Sequence, residues 1–164
     1  MAGTTGKSGR RPKPTAQKAL AGNPGKRKLN RDEPTFTPLT SVSPPNWFAE
    51  SEMSLALVMW ELTSKELCAQ GLLCITDLVV LERWCVAYQF WRNAVMNIAR
   101  QGNAVTGATG GPIKNPELTA KKEQQSEMDT TGSVLGLDPS SRQRLIGAAG
   151  QAKTDNPFMR MITS

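Results

Sequence analysis

The sequence predicts an all-α protein: a long antiparallel helical hairpin followed by shorter C-terminal helices and preceded by a flexible basic arm. Three observations predict it. Helical apolar spacing recurs between residues 46 and 101. Positive charge is concentrated in the first 31 residues. Glycine- and proline-rich stretches separate the periodic segments. The division expected is a basic arm over residues 1–45, a helical oligomerisation core over 46–137, and a short C-terminal helix with a tail over 138–164.

The arm comes first. Residues 1–31 hold nine basic side chains (Lys7, Arg10, Arg11, Lys13, Lys18, Lys26, Arg27, Lys28 and Arg31) and no acidic one. The formal net charge of the whole chain is +6. The other 133 residues carry 11 basic against 14 acidic groups, so the cationic character belongs to the arm. Residues 1–45 are rich in Gly, Pro, Thr and Lys/Arg with almost no apolar periodicity. Such a segment buries too little surface to offset its ordering entropy, which predicts flexibility. A short helix is expected near residues 15–21, capped by Thr15 and stopped by Gly22. Pro44-Pro45 marks the boundary with the core.

The first long helix is expected from just after Asn46 to about Leu67, with Leu55, Val58, Met59 and Leu62 forming its apolar face. Gly71 falls in the following turn. The second helix is expected from an N-cap at Thr76, with Asp77 in its first turn, to about Gln101, stopping at Gly102. One stripe of this helix reads Leu78, Leu81, Cys85, Tyr88, Arg92 and Val95. Another reads Val80, Trp84, Ala87, Trp91, Ala94 and Ile98. At about 100° per residue the two stripes lie roughly 110° apart, and Glu82, Gln89, Asn93 and Arg100 share the other side. One stripe closes a hairpin. The other is explained equally by a monomeric bundle that uses both, or by burial against a second copy of the chain.

Residues 102–113 are glycine-rich and read as a loop or a small β-hairpin. Asn115 caps a third helix, with Pro116 at its first position and Glu117 in its first turn, running to about Gly132. Its polar sequence predicts solvent exposure. Asp138-Pro139 starts a short fourth helix containing Arg142 and Arg144.

Composition excludes several classes of function. The chain has no histidine, which removes the usual general base and most catalytic zinc sites. Cys68, Cys74 and Cys85 show no CxxC spacing and read as small buried hydrophobes of a reducing compartment. The opening GTTGKS imitates a phosphate-binding loop, but Met1 stands where the motif requires its first glycine. The carboxylate pairs Asp32/Glu33, Glu50/Glu52 and Glu123/Glu127 lack the company that acid–base or metal chemistry needs. No apolar run approaches the roughly 20 residues that cross a bilayer, and the basic N-terminus is not followed by the apolar stretch of a secretory signal. The expectation is a cytoplasmic protein with no catalytic residue, no metal and no cofactor, and no membrane partner.

The arm is the chemical feature that remains. Arg10-Arg11-Pro12-Lys13-Pro14 is kept extended by its prolines and spaces cations along a phosphate backbone. Asn23-Pro24-Gly25-Lys26-Arg27-Lys28 adds a turn beside three charges. Guanidinium groups fork onto phosphates or guanine edges, and arms of this type enter minor grooves. The plainer explanation is a solubilising tail.

Several local sequences coincide with one family. In order they are Gly9-Arg10-Arg11-Pro12-Lys13-Pro14-Thr15, Gly22-Asn23-Pro24-Gly25-Lys26-Arg27, Pro44-Pro45-Asn46-Trp47, a G-L-L-x-x-T-D turn from Gly71 to Asp77, Cys85-x-x-Tyr88, and Gly136-Leu137-x-Pro139-x-Ser141-Arg142. This order and spacing resembles the P27 family of phage terminase small subunits over about residues 9 to 145. The resemblance implies a homo-oligomeric ring that binds double-stranded phage DNA at the packaging-initiation site in the host cell cytoplasm. It also implies delivery of that DNA to the terminase large subunit, which carries the ATPase and nuclease activities, and regulation of those activities. A ring would give the stripe Val80, Trp84, Ala87, Trp91, Ala94 and Ile98 its neighbour, making these the expected subunit-interface residues. The nine cations of the arm are the expected DNA contacts, a reading from charge alone. A phage-encoded DNA-binding transcription regulator is the main alternative, and a scaffold whose arm binds an acidic protein is another.

Overall fold

A computed structural model describes Thr15, Lys18, residues 22–26, Lys28, Leu29 and residues 36–143. The chain divides by its contacts into two units. One comprises Met1–Thr35 with Arg144–Ser164, and the other is Phe36–Gln143.

The second unit carries three long helices: α1 (Ser54–Ala69), α2 (Leu78–Gln101) and α3 (Glu117–Leu135). Two 3-10 turns, Asn46–Ala49 and Ser51–Met53, lead into α1, and a third, Ile75–Asp77, leads into α2. Between α2 and α3 lies an antiparallel β-hairpin of β1 (Ala104–Thr106) and β2 (Pro112–Lys114), with Val105 opposite Ile113. The third helix, at 19 residues, is longer than the first, at 16.

Both helix stops that precede a leucine use the same device. Gly71 (φ 65°) and Gly136 (φ 74°) adopt the left-handed conformation that glycine takes without steric cost. The next amide then folds back, Leu72 N–H to Leu67 C=O and Leu137 N–H to Gly132 C=O, each at 2.9 Å. The leucines are thereby turned in to pack against the core. At the start of α2, Asp77 takes the N-cap position without a side-chain bond to the helix; its carboxylate instead accepts the Cys74 N–H at 3.1 Å and closes the 3-10 turn that leads in. The cap expected at Thr76 is therefore one residue out. Asn115 holds the start of α3: its Oδ1 accepts the Glu117 N–H at 3.0 Å while its Nδ2 donates to the Gly102 carbonyl at 2.8 Å. One buried amide thus caps a helix and clamps the base of the β-hairpin.

The core gathers Phe48, Met53, Ala56, Trp60, Leu67, Leu73, Leu81, Cys85 and Leu135. Phe48 meets Trp60 edge to face, with centroids 5.9 Å apart. Leu39 and Val42 pack on this cluster, and the Leu39 N–H donates to the Leu73 carbonyl at 2.8 Å. Part of the segment expected to be arm is therefore attached to the core.

Of the α1 face expected to be buried, Met59 packs against the core and the other three residues point outward. Leu55, Val58 and Leu62 are 37%, 48% and 62% exposed, whereas Ala56, Trp60, Ser64 and Leu67 face the core. The helix is apolar along two arcs, and the inward one is chosen because it holds the large Trp60 ring. Gln89, expected on the polar side of α2, is buried. Its Oε1 accepts the backbone N–H groups of Leu55 (2.9 Å) and Ala56 (3.1 Å), two of the donors that a helix start leaves without partners.

Candidate nucleic-acid and subunit interfaces

Of the nine arm cations, Lys18, Lys26 and Lys28 are among the described residues; Lys7, Arg10, Arg11, Lys13, Arg27 and Arg31 lie outside them. Thr15 and Lys18 are helical, Gly22 takes φ 72°, and the Asn23 N–H is bonded to the Lys18 carbonyl at 2.8 Å; the rest of the helix expected over residues 15–21 lies outside the described residues. The turn expected at Asn23-Pro24-Gly25-Lys26 is present. The Lys26 N–H donates to the Asn23 carbonyl at 2.8 Å, and both residues take positive φ, 44° and 46°. Such values are uncommon outside glycine. The turn places the Lys26 side chain in solvent, with Lys28 exposed two residues on.

The second stripe of α2 finds cover inside its own chain. α3 runs antiparallel to α2: Asn97 Nδ2 donates to Glu117 Oε1 at 3.1 Å near one end, and Arg83 pairs with Glu127 at 2.7 Å near the other. Ala87 and Ala94 are buried, while Val80, Trp84, Trp91 and Ile98 keep part of their surface. Close approach is possible because α3 presents Gly132 to the Trp84 indole; a Cβ there would stand 3.3 Å from Trp84 Nε1. Along the same face Trp84, Tyr88 and Trp91 form a ladder with centroid spacings of 6.2 Å and 6.1 Å.

Expected to be solvent-exposed for its polarity, α3 is a packed helix. Thr131 and Leu135 are buried, and Thr131 Oγ1 donates to the Glu127 carbonyl of its own helix at 2.6 Å. A threonine that satisfies its hydroxyl in this way can sit in an interface as a small apolar residue.

The Gly136-to-Arg142 segment is a structural corner. Gly136 ends α3, and Asp138 caps the next turn by accepting the Ser141 N–H at 2.9 Å and the Ser140 hydroxyl at 2.6 Å. These hydrogen bonds hold the Asp138 carboxyl well below the usual range. Arg142 turns back to donate to the carbonyls of Gly136 (3.3 Å) and Leu137 (2.9 Å). Its guanidinium is therefore engaged in the fold.

Charge within residues 36–143 is segregated along the α2–α3 pair, which sequence reading passed over. Residues 90–123 carry five basic groups (Arg92, Arg100, Lys114, Lys121, Lys122) against Glu117 and Glu123. The remainder carries three basic against nine acidic groups. A running count of charge along the core would have revealed it. Among the described residues no group of three or more His, Cys, Asp or Glu is arranged to hold a metal ion. No described helix is long and apolar enough to cross a membrane.

Neither the curated proteins nor the solved structures provide a match to the chain. The family model described as "Phage terminase, small subunit" matches residues 56–152, which is more than half of the sequence. That span takes in nearly all of α1, the whole α2–β-hairpin–α3 unit and the Arg142 corner, so the chain belongs to the phage terminase small-subunit family.

Proposed function

We propose that this chain works in phage DNA packaging as a non-catalytic, ring-forming DNA-binding subunit in the host cytoplasm. It binds double-stranded phage DNA at the packaging-initiation site, presents it to the terminase large subunit, and regulates the ATPase and nuclease of that partner. The observation that carries the DNA-binding part is the charge distribution, with nine cations and no acid in residues 1–31. A charge excess confined to one terminal segment suits a polyanion partner.

Self-association has support of its own. The outward arc of α1 (Leu55, Val58, Leu62) and the exposed Val79 and Phe90 of α2 leave apolar surface uncovered on separate helices. Large exposed apolar side chains are what interaction sites are built from, and unlike surfaces that meet head to tail form a ring when the rotation between copies closes. Beside them the residual surface of Val80, Trp84, Trp91 and Ile98 is the proposed contact on α2, with Ala87 and Ala94 lying beneath. A ring multiplies a weak arm into a strong grip, because each bound arm raises the effective concentration of the next.

The deciding experiment deletes residues 1–31 and measures native mass and duplex binding together. The expected result is an intact oligomer that has lost nearly all duplex affinity at about 0.15 M salt. A truncated protein that binds duplex DNA as tightly as the full chain refutes the arm's role, and a full-length protein that remains a monomer when it binds refutes the ring.

A further inference from the structure

The arm is not the only cationic segment of the chain. We infer that the β-hairpin end of the α2–α3 pair is a second contact for duplex DNA, carried by the core. This inference rests on the reading that the chain binds duplex DNA.

Two independent observations support it. The first is charge. Residues 90–123 form one contiguous end of the antiparallel α2–α3 pair and hold a net +3, while the rest of the unit holds a net −6. Arg100, Lys114 and Lys122 are exposed, and Lys121 is half-buried. Among the described residues none of these cations is in an ion pair; the one ion pair there, Arg83 with Glu127, lies at the opposite end. Glu117, the acidic group nearest the hairpin, is held by Asn97. Lys121 and Lys122 lie in the second turn of α3, close to the base of the hairpin.

The second observation is the hairpin itself. A two-stranded ribbon of three residues per strand is marginal on its own and adds little to a core. Every residue of β2 is exposed, including Ile113 at 49%. Yet this ribbon is held firmly at its base by the fully buried Asn115, which bonds to Gly102 and caps α3. Its tip, Gly107-Ala-Thr-Gly-Gly111, is built of small residues. A double-helical major groove admits a two-stranded ribbon, and cations on either side of such a ribbon meet the phosphates that flank the groove. Lys114 at the end of β2, with Arg100 and Lys121/Lys122 on the helices to either side, supplies that arrangement. An exposed, small-tipped ribbon anchored at its base and accompanied by cations outside any ion pair among the described residues suits a duplex.

The test uses the full chain and a fluorescent duplex of about 30 base pairs, with affinity measured over a salt series. The variant Lys114→Ala/Lys121→Ala/Lys122→Ala is compared with Lys65→Ala, an exposed lysine on α1 at the other end of the core. Each lost phosphate contact lowers the salt slope by about 0.9. The triple variant should therefore lose roughly 2 to 3 units of slope, and on the order of a hundredfold in affinity at about 0.15 M salt. Lys65→Ala should leave both unchanged. Unfolding curves that match the parent show that the triple variant keeps its fold, and Lys114→Glu alone provides a milder second variant. Normal duplex binding by both the triple variant and Lys114→Glu overturns the hairpin contact while the arm's role stands. A parent that binds no duplex overturns the contact together with the DNA-binding reading. Displacement by polyglutamate as efficient as by unlabelled duplex of equal charge overturns the duplex assignment in favour of an acidic protein partner.

Discussion

Replacing Gln89 by leucine tests how the start of α1 is held. The Gln89 Oε1 is the acceptor for the N–H groups of both Leu55 and Ala56, at 2.9 Å and 3.1 Å. Leucine fills a similar volume but offers no acceptor, so both donors lose their partner. Ala56 is 0% exposed, and its N–H would stay dry; Leu55 is 37% exposed, and water can restore much of its bond. An unsatisfied buried donor costs about 1–3 kcal/mol. With a smaller contribution from the second site, the expected loss is about 2–3 kcal/mol out of a typical 5–15 kcal/mol. For a core of this size that corresponds to a fall in Tm of roughly 10 °C. The assay is urea unfolding followed by circular dichroism and by tryptophan fluorescence, which Trp60 in the core should report. Two protein concentrations separate folding from any change in subunit association. Gln89→Glu keeps an acceptor in place and sets a negative charge at a helix start, so it should recover part of the loss at pH 8. A leucine variant within about 0.5 kcal/mol of the parent would refute the idea that this amide anchors the hairpin.

Two further outcomes follow from the same structure. Arg142→Ala removes the hydrogen bonds to the Gly136 and Leu137 carbonyls and should lower stability by about 1–2 kcal/mol; an unchanged salt slope for duplex binding would mark Arg142 as a fold residue, and a reduced slope would make it a DNA contact. Burial pushes the Cys85 thiol up to about 12, with the Glu82 charge adding to the effect, from an ordinary 9.0. Because the folded value is raised, this stabilisation is complete below pH 9 and is lost as pH climbs towards 12, where the unfolded thiol ionises and the folded one does not. Thiol titration with Ellman's reagent at pH 8 should label Cys68 and Cys74 before Cys85, with Cys85 reacting only as fast as the chain opens. Immediate labelling of three thiols would contradict that burial.

The elements themselves were largely legible in the sequence. The extent of α2, its stop at Gly102, the Asn115 cap, the glycine-rich hairpin and the turn at Asn23-Pro24-Gly25-Lys26 follow from local rules about caps, left-handed glycines and turn residues, which depend on few neighbours. Facing was harder. On α1 both Leu55/Val58/Leu62 and Ala56/Trp60/Leu67 satisfy helical spacing, and only the bulk of Trp60 packing on Phe48 decides between them. By spacing Gln89 falls on the polar side, and a lone amide says nothing about what it will accept; its partners are main-chain donors more than thirty residues away. The polarity of α3 concealed an interface, since Thr131 satisfies its hydroxyl within the helix and Gly132 makes room for the Trp84 ring. The candidate DNA contacts were legible only as charge. Composition concentrates cations in the arm, and the smaller excess over residues 90–123 is visible along the chain as well; what the fold adds is that this stretch doubles back, so its cations share one end of the α2–α3 pair.

The two glycine–leucine helix stops have one more consequence. Leu72, Gly136, Leu137 and Arg142 line a single cleft of about 390 Å³, so α1 and α3 terminate against the same hollow. The main chain of each helix leaves a fractional negative charge there, on the order of half an electron. The Arg142 guanidinium lies in the same hollow and donates to the Gly136 and Leu137 carbonyls, so a cation that never titrates answers the partial charge of the helix ends, and this corner keeps its electrostatics across the pH range in which Asp and Glu change state.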